Sequence, residues 1–139
     1  MSINTEFNLN LVFHHTGILV KNIEDTVLYY KTIFGENSAS KIQIIENQKV
    51  SVCFITIGID CYLELIEPFE GNSDYNTMFK RGITYYHNGY TTTEFDITLK
   101  LLLEQDFRLL STFNSEAFDG KRCSFLISKK MHLFELIEK

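Results

Sequence analysis

Four side chains of this 139-residue chain have types and spacings that could do chemistry together. Glu64 and Glu135 each begin the sequence Glu-Leu-Ile-Glu, and they lie 71 positions apart (135 − 64). His87 follows His15 by 72 positions (87 − 15), with His14 beside it as an alternative. Imidazole nitrogens and carboxylate oxygens bind divalent metal ions, and a carboxylate can also take a proton as a general base.

Each glutamate lies within an apolar run that is typical of a buried strand. Alternate residues of a strand share a face, so Glu64 lies with Tyr62 and Ile66, while Leu63 and Leu65 lie on the other face. Because both faces are apolar, both must be covered, and a carboxylate there is costly unless something compensates its charge. We interpret two imidazoles and two carboxylates in a concave interior as a metal site with open positions for water or substrate.

The spacing within each half is matched as well, which favours a common site. Glu64 follows His15 by 49 positions (64 − 15), and Glu135 follows His87 by 48 (135 − 87). Duplicated halves also share core residues for folding reasons, but that alternative explains paired Phe or Leu better than paired buried Glu. His14 and His15 are expected to point to opposite faces of their strand, and alternation alone does not choose between them.

The matched spacing extends along the chain and predicts two copies of one structural unit. Phe54 and Phe125 are also 71 positions apart (125 − 54). A helix is expected to begin after Asn22 and to end at Gly35, and a second helix to begin after Thr93 or Asp96. Apolar and β-branched runs predict strands at 11–20, 41–46, 50–57, 61–67, 85–92, 107–113, 121–127 and 131–137.

The predicted fold class is α+β, because each half has the order β-α-β-β-β. The chain is expected to be one domain, 1–139, with modules at about 11–68 and 83–139 and a linker at about 69–82. Paired halves would form a curved, barrel-like mixed sheet with the helices outside.

Composition and charge disfavour several classes of partner. The formal charge is −5 without a basic cluster, so neither nucleic acid nor an anionic membrane is an expected partner. No apolar run reaches membrane length, and the N-terminus lacks the regions of a signal peptide. Three cysteines in apolar runs are expected to be reduced, which predicts a cytoplasmic protein.

Six motifs are spread over nearly the whole chain: His15-Thr-Gly-Ile-Leu-Val, Asn22-Ile-Glu-Asp, Tyr29-Tyr30 with Phe34-Gly35, Glu64-Leu-Ile-Glu-Pro68-Phe, Gly82 with Tyr86-His87, and Phe134-Glu135-Leu136. In these motifs the chain resembles the vicinal oxygen chelate superfamily from about residue 11 to residue 139, in the branch of glyoxalase I and methylmalonyl-CoA epimerase. The superfamily also contains extradiol dioxygenases, fosfomycin-resistance enzymes and bleomycin-resistance proteins.

The resemblance implies one divalent metal ion, Ni, Co, Zn, Mn or Mg, held by His15, Glu64, His87 and Glu135. It thereby favours His15 over His14. It also implies that Glu135 is the catalytic base and that Glu64 is a second catalytic acid or base. Tyr86 departs from the pattern, since the epimerases usually have a histidine at that position.

The implied activity is that of a metal-dependent isomerase or lyase. Such an enzyme abstracts a proton next to a metal-chelated carbonyl of a small 2-oxo or acyl thioester substrate. The alternative is a metal-free protein of the bleomycin-resistance type that sequesters a ligand. A homodimer is expected, and aromatic side chains are candidates for lining the pocket: Phe54, Tyr62, Tyr85, Tyr86, Tyr90, Phe118 and Phe125.

Overall fold

The computed structural model describes residues 9–139, and the N-terminal residues used for the signal-peptide prediction lie outside them. The strands are β1 (Val12–Leu19), β2 (Gln43–Ile45), β3 (Val50–Gly58), β4 (Cys61–Pro68), β5 (Tyr85–Thr92), β6 (Arg108–Ser115), β7 (Lys121–Ile127) and β8 (Leu133–Glu138). The helices are α1 (Ile23–Phe34), α2 (Asn76–Lys80) and α3 (Phe95–Glu104). Within these residues no helix combines the length and the apolar character needed to span a membrane.

Helix α1 begins and ends where the sequence predicts. The Asn22 side chain accepts a hydrogen bond from the backbone N–H of Asp25 at 3.0 Å, which satisfies one of the donors left open at a helix N-terminus. A carboxylate oxygen of Glu67 accepts a second such bond, from the N–H of Ile23. Gly35 ends the helix at φ 112°, a conformation that glycine adopts without strain.

Helix α3 begins differently from the prediction. The residue preceding the helix is Glu94, and its side chain makes no capping hydrogen bond, so the predicted cap at Thr93 or Asp96 is wrong. The hydroxyl of Thr92 instead accepts the Glu94 N–H at 3.1 Å. This bond from a threonine hydroxyl to the amide two residues further on forms a local turn of the chain just before the helix.

Contacts divide the chain into two compact units, of which the first is His14–Asn88. Its strands follow the order β2-β3-β4-β1, and the start of β5 lies beside β1. Strand β1 runs parallel to β4, with His15 opposite Tyr62 and Gly17 opposite Glu64. Strand β3 is antiparallel to both β2 and β4, so the sheet of this unit is mixed as predicted.

The second unit comprises the described residues before His14 together with Gly89–Lys139. Its strands follow the order β5-β8-β7-β6, and β7 is antiparallel to both of its neighbours. Phe125 lies opposite Glu135 here, as Phe54 lies opposite Glu64 in the first unit. The repeat found in the sequence is therefore a repeat of strand register.

Each unit has its own core beneath its helix. In the first, Ile23 and Val27 of α1 pack with a cluster that includes the fully buried Leu65. In the second, Phe95 and Leu102 of α3 pack with a cluster that includes Leu136. Burying a side chain of this size contributes about 1.5–3 kcal/mol. Because Leu65 and Leu136 directly follow the two glutamates, each glutamate points to the sheet face opposite its helix.

Arg122 links three elements of the second unit. Its guanidinium bonds Asp96 of α3 at 3.0 Å and Glu138 of β8 at 2.9 Å, and it lies 4.5 Å from the centre of the Phe95 ring. Hydrogen bonds from this guanidinium hold the pKa of both carboxyls below their usual range. Bonds to Glu138 and then Asp96 raise the pKa of Arg122 in return.

Replacement of Arg122 by methionine should lower the melting temperature by a few degrees at neutral pH. The pKa values of Asp96 and Glu138 are lower in the folded state than in the unfolded state. Their contribution to the stability of the fold is therefore present above their ordinary pKa values and is lost as the pH falls through their pKa values in the folded state. The difference between wild type and variant should therefore shrink below about pH 4. Thermal unfolding followed by circular dichroism from pH 7 to pH 3 measures this, and a difference independent of pH would contradict it.

Candidate metal centre

His15 and His87 meet because their strands are neighbours. His15 lies on β1 and His87 at the start of β5, where the backbone N–H of Leu19 bonds the carbonyl of Thr84. Their Nε2 atoms are 2.9 Å apart and their rings meet edge to face. His15 is 0% and His87 2% exposed, so bulk water does not compete with the partners of these ring nitrogens.

Glu64 completes a triangle with the two imidazoles. It lies on β4, the parallel neighbour of β1, and its Oε1 is 3.4 Å from the Nε2 of His15 and 3.4 Å from the Nε2 of His87. Burial raises the pKa of this carboxyl, but the charge and hydrogen bonds of the two histidines outweigh it, so the net pKa lies well below its usual range. Glu64 is therefore a buried carboxylate in its ionised form, as a metal ligand must be.

Gly17 provides the space that the His87 ring occupies. A Cβ placed on Gly17 would lie 2.5 Å from Cε1 of His87, closer than real Cβ atoms approach other atoms. The glycine is opposite Glu64 in the β1–β4 pairing, two residues after His15. A glycine within a predicted strand often marks close backbone approach, and the group that approaches Gly17 is the His87 ring.

The structure brings His15, and not His14, to Glu64 and His87. His14 instead lies behind His15, with the two Nδ1 atoms 2.8 Å apart. The expectation that adjacent residues face opposite ways is wrong for these rings, because both contact the Phe54 ring edge to face. Pairing between β1 and β4 begins only at His15, so His14 precedes that ladder.

Glu135 lies on β8 in the second unit and is 5% exposed. It is opposite Phe125 on β7 and is followed by the core residue Leu136. Glu64 has the same surroundings in the first unit, because it is opposite Phe54 and is followed by the core residue Leu65. The burial of a second carboxylate at the equivalent position demands compensation in the same way.

Aromatic side chains surround the triangle in the first unit. Phe54 packs edge-on against His15, Tyr62 meets Phe54, and Tyr86 packs edge-on against His87. Tyr90, another of the predicted pocket residues, stacks on Phe134 in the second unit.

The donor atoms of the triangle suit a divalent ion. Neighbouring donors around an octahedral ion with bonds of about 2.0–2.1 Å lie about 3 Å apart. The nitrogen pair at 2.9 Å matches this spacing, and the carboxylate oxygen at 3.4 Å lies a few tenths of an ångström beyond it. Two imidazoles and a carboxylate form a borderline-to-hard ligand set that accepts several first-row ions and Mg²⁺.

This combination of duplicated βαβββ modules with a His–Glu–His cluster defines a class of protein. A model of the Glyoxalase/Bleomycin resistance protein/Dioxygenase superfamily matches residues 14–125. The chain belongs to this superfamily, which confirms both the resemblance stated above and the predicted α+β fold class.

Several proteins to which the chain is similar are named as methylmalonyl-CoA epimerases. The chain is 24% identical over 131 residues to the mitochondrial methylmalonyl-CoA epimerase of Dictyostelium discoideum, with 91% of this chain and 77% of that protein covered. The crystal structure of the Mycobacterium tuberculosis methylmalonyl-CoA epimerase has a TM-score of 0.81 at 20% identity, covering 96% of this chain and 92% of that one. A variant of the Streptomyces coelicolor enzyme in complex with 2-nitronate-propionyl-CoA has a TM-score of 0.76 at 24% identity, covering 92% and 94%. The relatives are enzymes, in agreement with the predicted branch.

Proposed function

We propose that the protein is a metal-dependent isomerase or lyase of the glyoxalase and methylmalonyl-CoA epimerase type. The observation that carries this proposal is the buried triangle formed by His15 Nε2, His87 Nε2 and Glu64 Oε1. Burying two imidazoles and a carboxylate side by side away from bulk water costs free energy. A bound cation would compensate the charge of the carboxylate.

We propose His15, Glu64, His87 and Glu135 as the ligands of one divalent ion. The support for Glu135 is its equivalence to Glu64 in burial and in strand register. When bound, the ion would supply Lewis-acid stabilisation of the negative charge that develops on a substrate carbonyl oxygen. Ni, Co, Zn, Mn and Mg all fit the donor types, so the identity of the ion stays a prediction.

Glu135 is the proposed base that takes the proton from the carbon next to the carbonyl, and Glu64 the second acid or base. Two carboxylates that serve opposite faces of one carbon would suit epimerisation or a 1,2-proton shift. The assignment of the principal proton transfer to Glu135 is the one that the resemblance to the glyoxalase and epimerase branch implies.

The proposed substrate is a small acyl thioester or 2-oxo compound. All three relatives reported above are methylmalonyl-CoA epimerases, and one of them is described in complex with 2-nitronate-propionyl-CoA. Rings of Phe54, Tyr62 and Tyr86 beside the histidines would contact a short acyl group, since aromatic walls with few polar groups are typical of small-molecule sites. The homodimer and the cytoplasmic location stay predictions.

Metal analysis of protein purified without chelators tests the proposal. We expect close to one divalent ion per chain, and a fall in melting temperature when EDTA removes it, because an ion that binds only the folded state stabilises that state. His15→Ala should abolish stoichiometric binding. His132→Ala is the matched control, since that histidine is exposed and lies outside the triangle. An ion-free protein that EDTA does not affect would favour the ligand-sequestering alternative.

A further inference from the structure

We infer that His14 is a positioning residue for the metal site, because it accepts a hydrogen bond from His15 and so directs the other nitrogen of His15 toward the ion. The inference rests on the proposed metal centre. It assigns a function to the 2.8 Å contact between the two Nδ1 atoms, which the ligand set does not use.

The placement of one hydrogen atom on the His15 ring carries the inference. A neutral imidazole has one N–H, and the two nitrogens of His15 have different partners, His14 Nδ1 at 2.8 Å and His87 Nε2 at 2.9 Å. With the hydrogen on Nε2, the lone pair that would bind the ion is not available. With the hydrogen on Nδ1, the Nε2 lone pair points toward Glu64 and His87, and the N–H donates to His14.

The position of the acceptor is fixed by packing. The His14 ring lies 4.8 Å from the Tyr62 ring at an interplanar angle of 37°, and its edge meets Phe54 at 5.9 Å. Tyr62 is opposite His15 on β4, two residues before Glu64. The strand pairing that positions the carboxylate therefore also positions the ring against which His14 packs.

Two substitutions of His14 distinguish the effect of its acceptor nitrogen from the effect of its aromatic ring. His14→Phe keeps an aromatic ring on Tyr62 but removes the acceptor nitrogen. His14→Asn loses the ring but places an amide oxygen near the position of Nδ1. Co²⁺ affinity of the full chain, measured by competition with a chromophoric chelator, should weaken about 10–100-fold in His14→Phe. In His14→Asn it should stay within about threefold of the wild type, since the hydrogen bond is retained.

The position of the hydrogen can be observed directly. In Zn²⁺-loaded protein with ¹⁵N-labelled histidine, NMR should show His15 protonated at Nδ1, with coupling across the hydrogen bond to Nδ1 of His14. A purely structural contribution of His14 would not produce this signal. A hydrogen on His14 Nδ1 in the loaded protein would overturn the inference, and so would equal Co²⁺ affinity of wild type and folded His14→Phe.

The outcome for the wild type separates this inference from the proposed function. If the wild type binds Co²⁺ and His14→Phe binds it equally well, the metal centre stands and only the positioning by His14 fails. If the wild type binds no ion, the proposed function fails and the inference fails with it. His132→Phe controls for the loss of a histidine elsewhere on the chain and should leave the affinity unchanged.

Discussion

Replacement of Glu135 by glutamine should reduce proton exchange at the α-carbon of the substrate by about 10²–10⁴-fold, with the fold retained. Glutamine has nearly the same shape as glutamate, but its amide does not take up a proton at neutral pH. The measurement is deuterium incorporation in D₂O, followed by NMR, with methylmalonyl-CoA as the first substrate and 2-oxo compounds next. An exchange rate equal to that of the wild type would rule out Glu135 as the base.

Two measurements make the Glu135→Gln result specific. Glu138→Gln is the matched control, because Glu138 lies three residues further along β8 and bonds Arg122. It should leave the exchange rate unchanged. The metal content of each variant then separates the two proposed functions of Glu135, since lost exchange with the ion retained identifies the base. Loss of the ion together with exchange would identify Glu135 chiefly as a ligand.

Gly17→Ala should weaken metal binding by at least about tenfold and destabilise the fold by about 1–3 kcal/mol. The added methyl group would lie 2.5 Å from the His87 ring, so either the ring or strand β1 must move. A moved ring withdraws the His87 nitrogen from its position 3.4 Å from Glu64. Co²⁺ affinity and urea unfolding measure the two effects, and an unchanged affinity would show that the ring adapts without leaving the site.

A double-mutant cycle isolates the contact between Gly17 and His87. In the His87→Ala background the ring is absent, so adding Gly17→Ala should cost much less stability than it does in the wild type. The two substitutions should show a coupling energy of about 0.5–3 kcal/mol, as residues in direct contact do. Purely additive effects would place the strain at Gly17 somewhere other than the His87 ring.

Much of the local structure could be predicted because its causes are local. Helix α1 begins after Asn22 and ends before Gly35, and each of these residues forms a hydrogen bond with a residue within about one turn of the helix. The equivalence of Glu64 and Glu135 is visible as a repeat in the sequence, and the shared strand register with Phe54 and Phe125 follows from it. The predicted cap of α3 is wrong, because Glu94 precedes the helix without a capping bond from its side chain, and the nearby hydroxyl of Thr92 accepts the N–H of Glu94 instead.

The sequence by itself determined the duplicated modules, the faces of the two strands that carry Glu64 and Glu135, and the residue types of the candidate site. These follow from periodicity and from the cost of a carboxylate on an apolar strand. Strand alternation left His14 and His15 open, the family resemblance favoured His15, and the tertiary structure places His15 against His87. Only the tertiary structure shows that Gly17 makes room for the His87 ring and that Arg122 joins α3 to β8. Such contacts join residues on different strands and helices, and their distances depend on strand order and register, which one sequence does not specify.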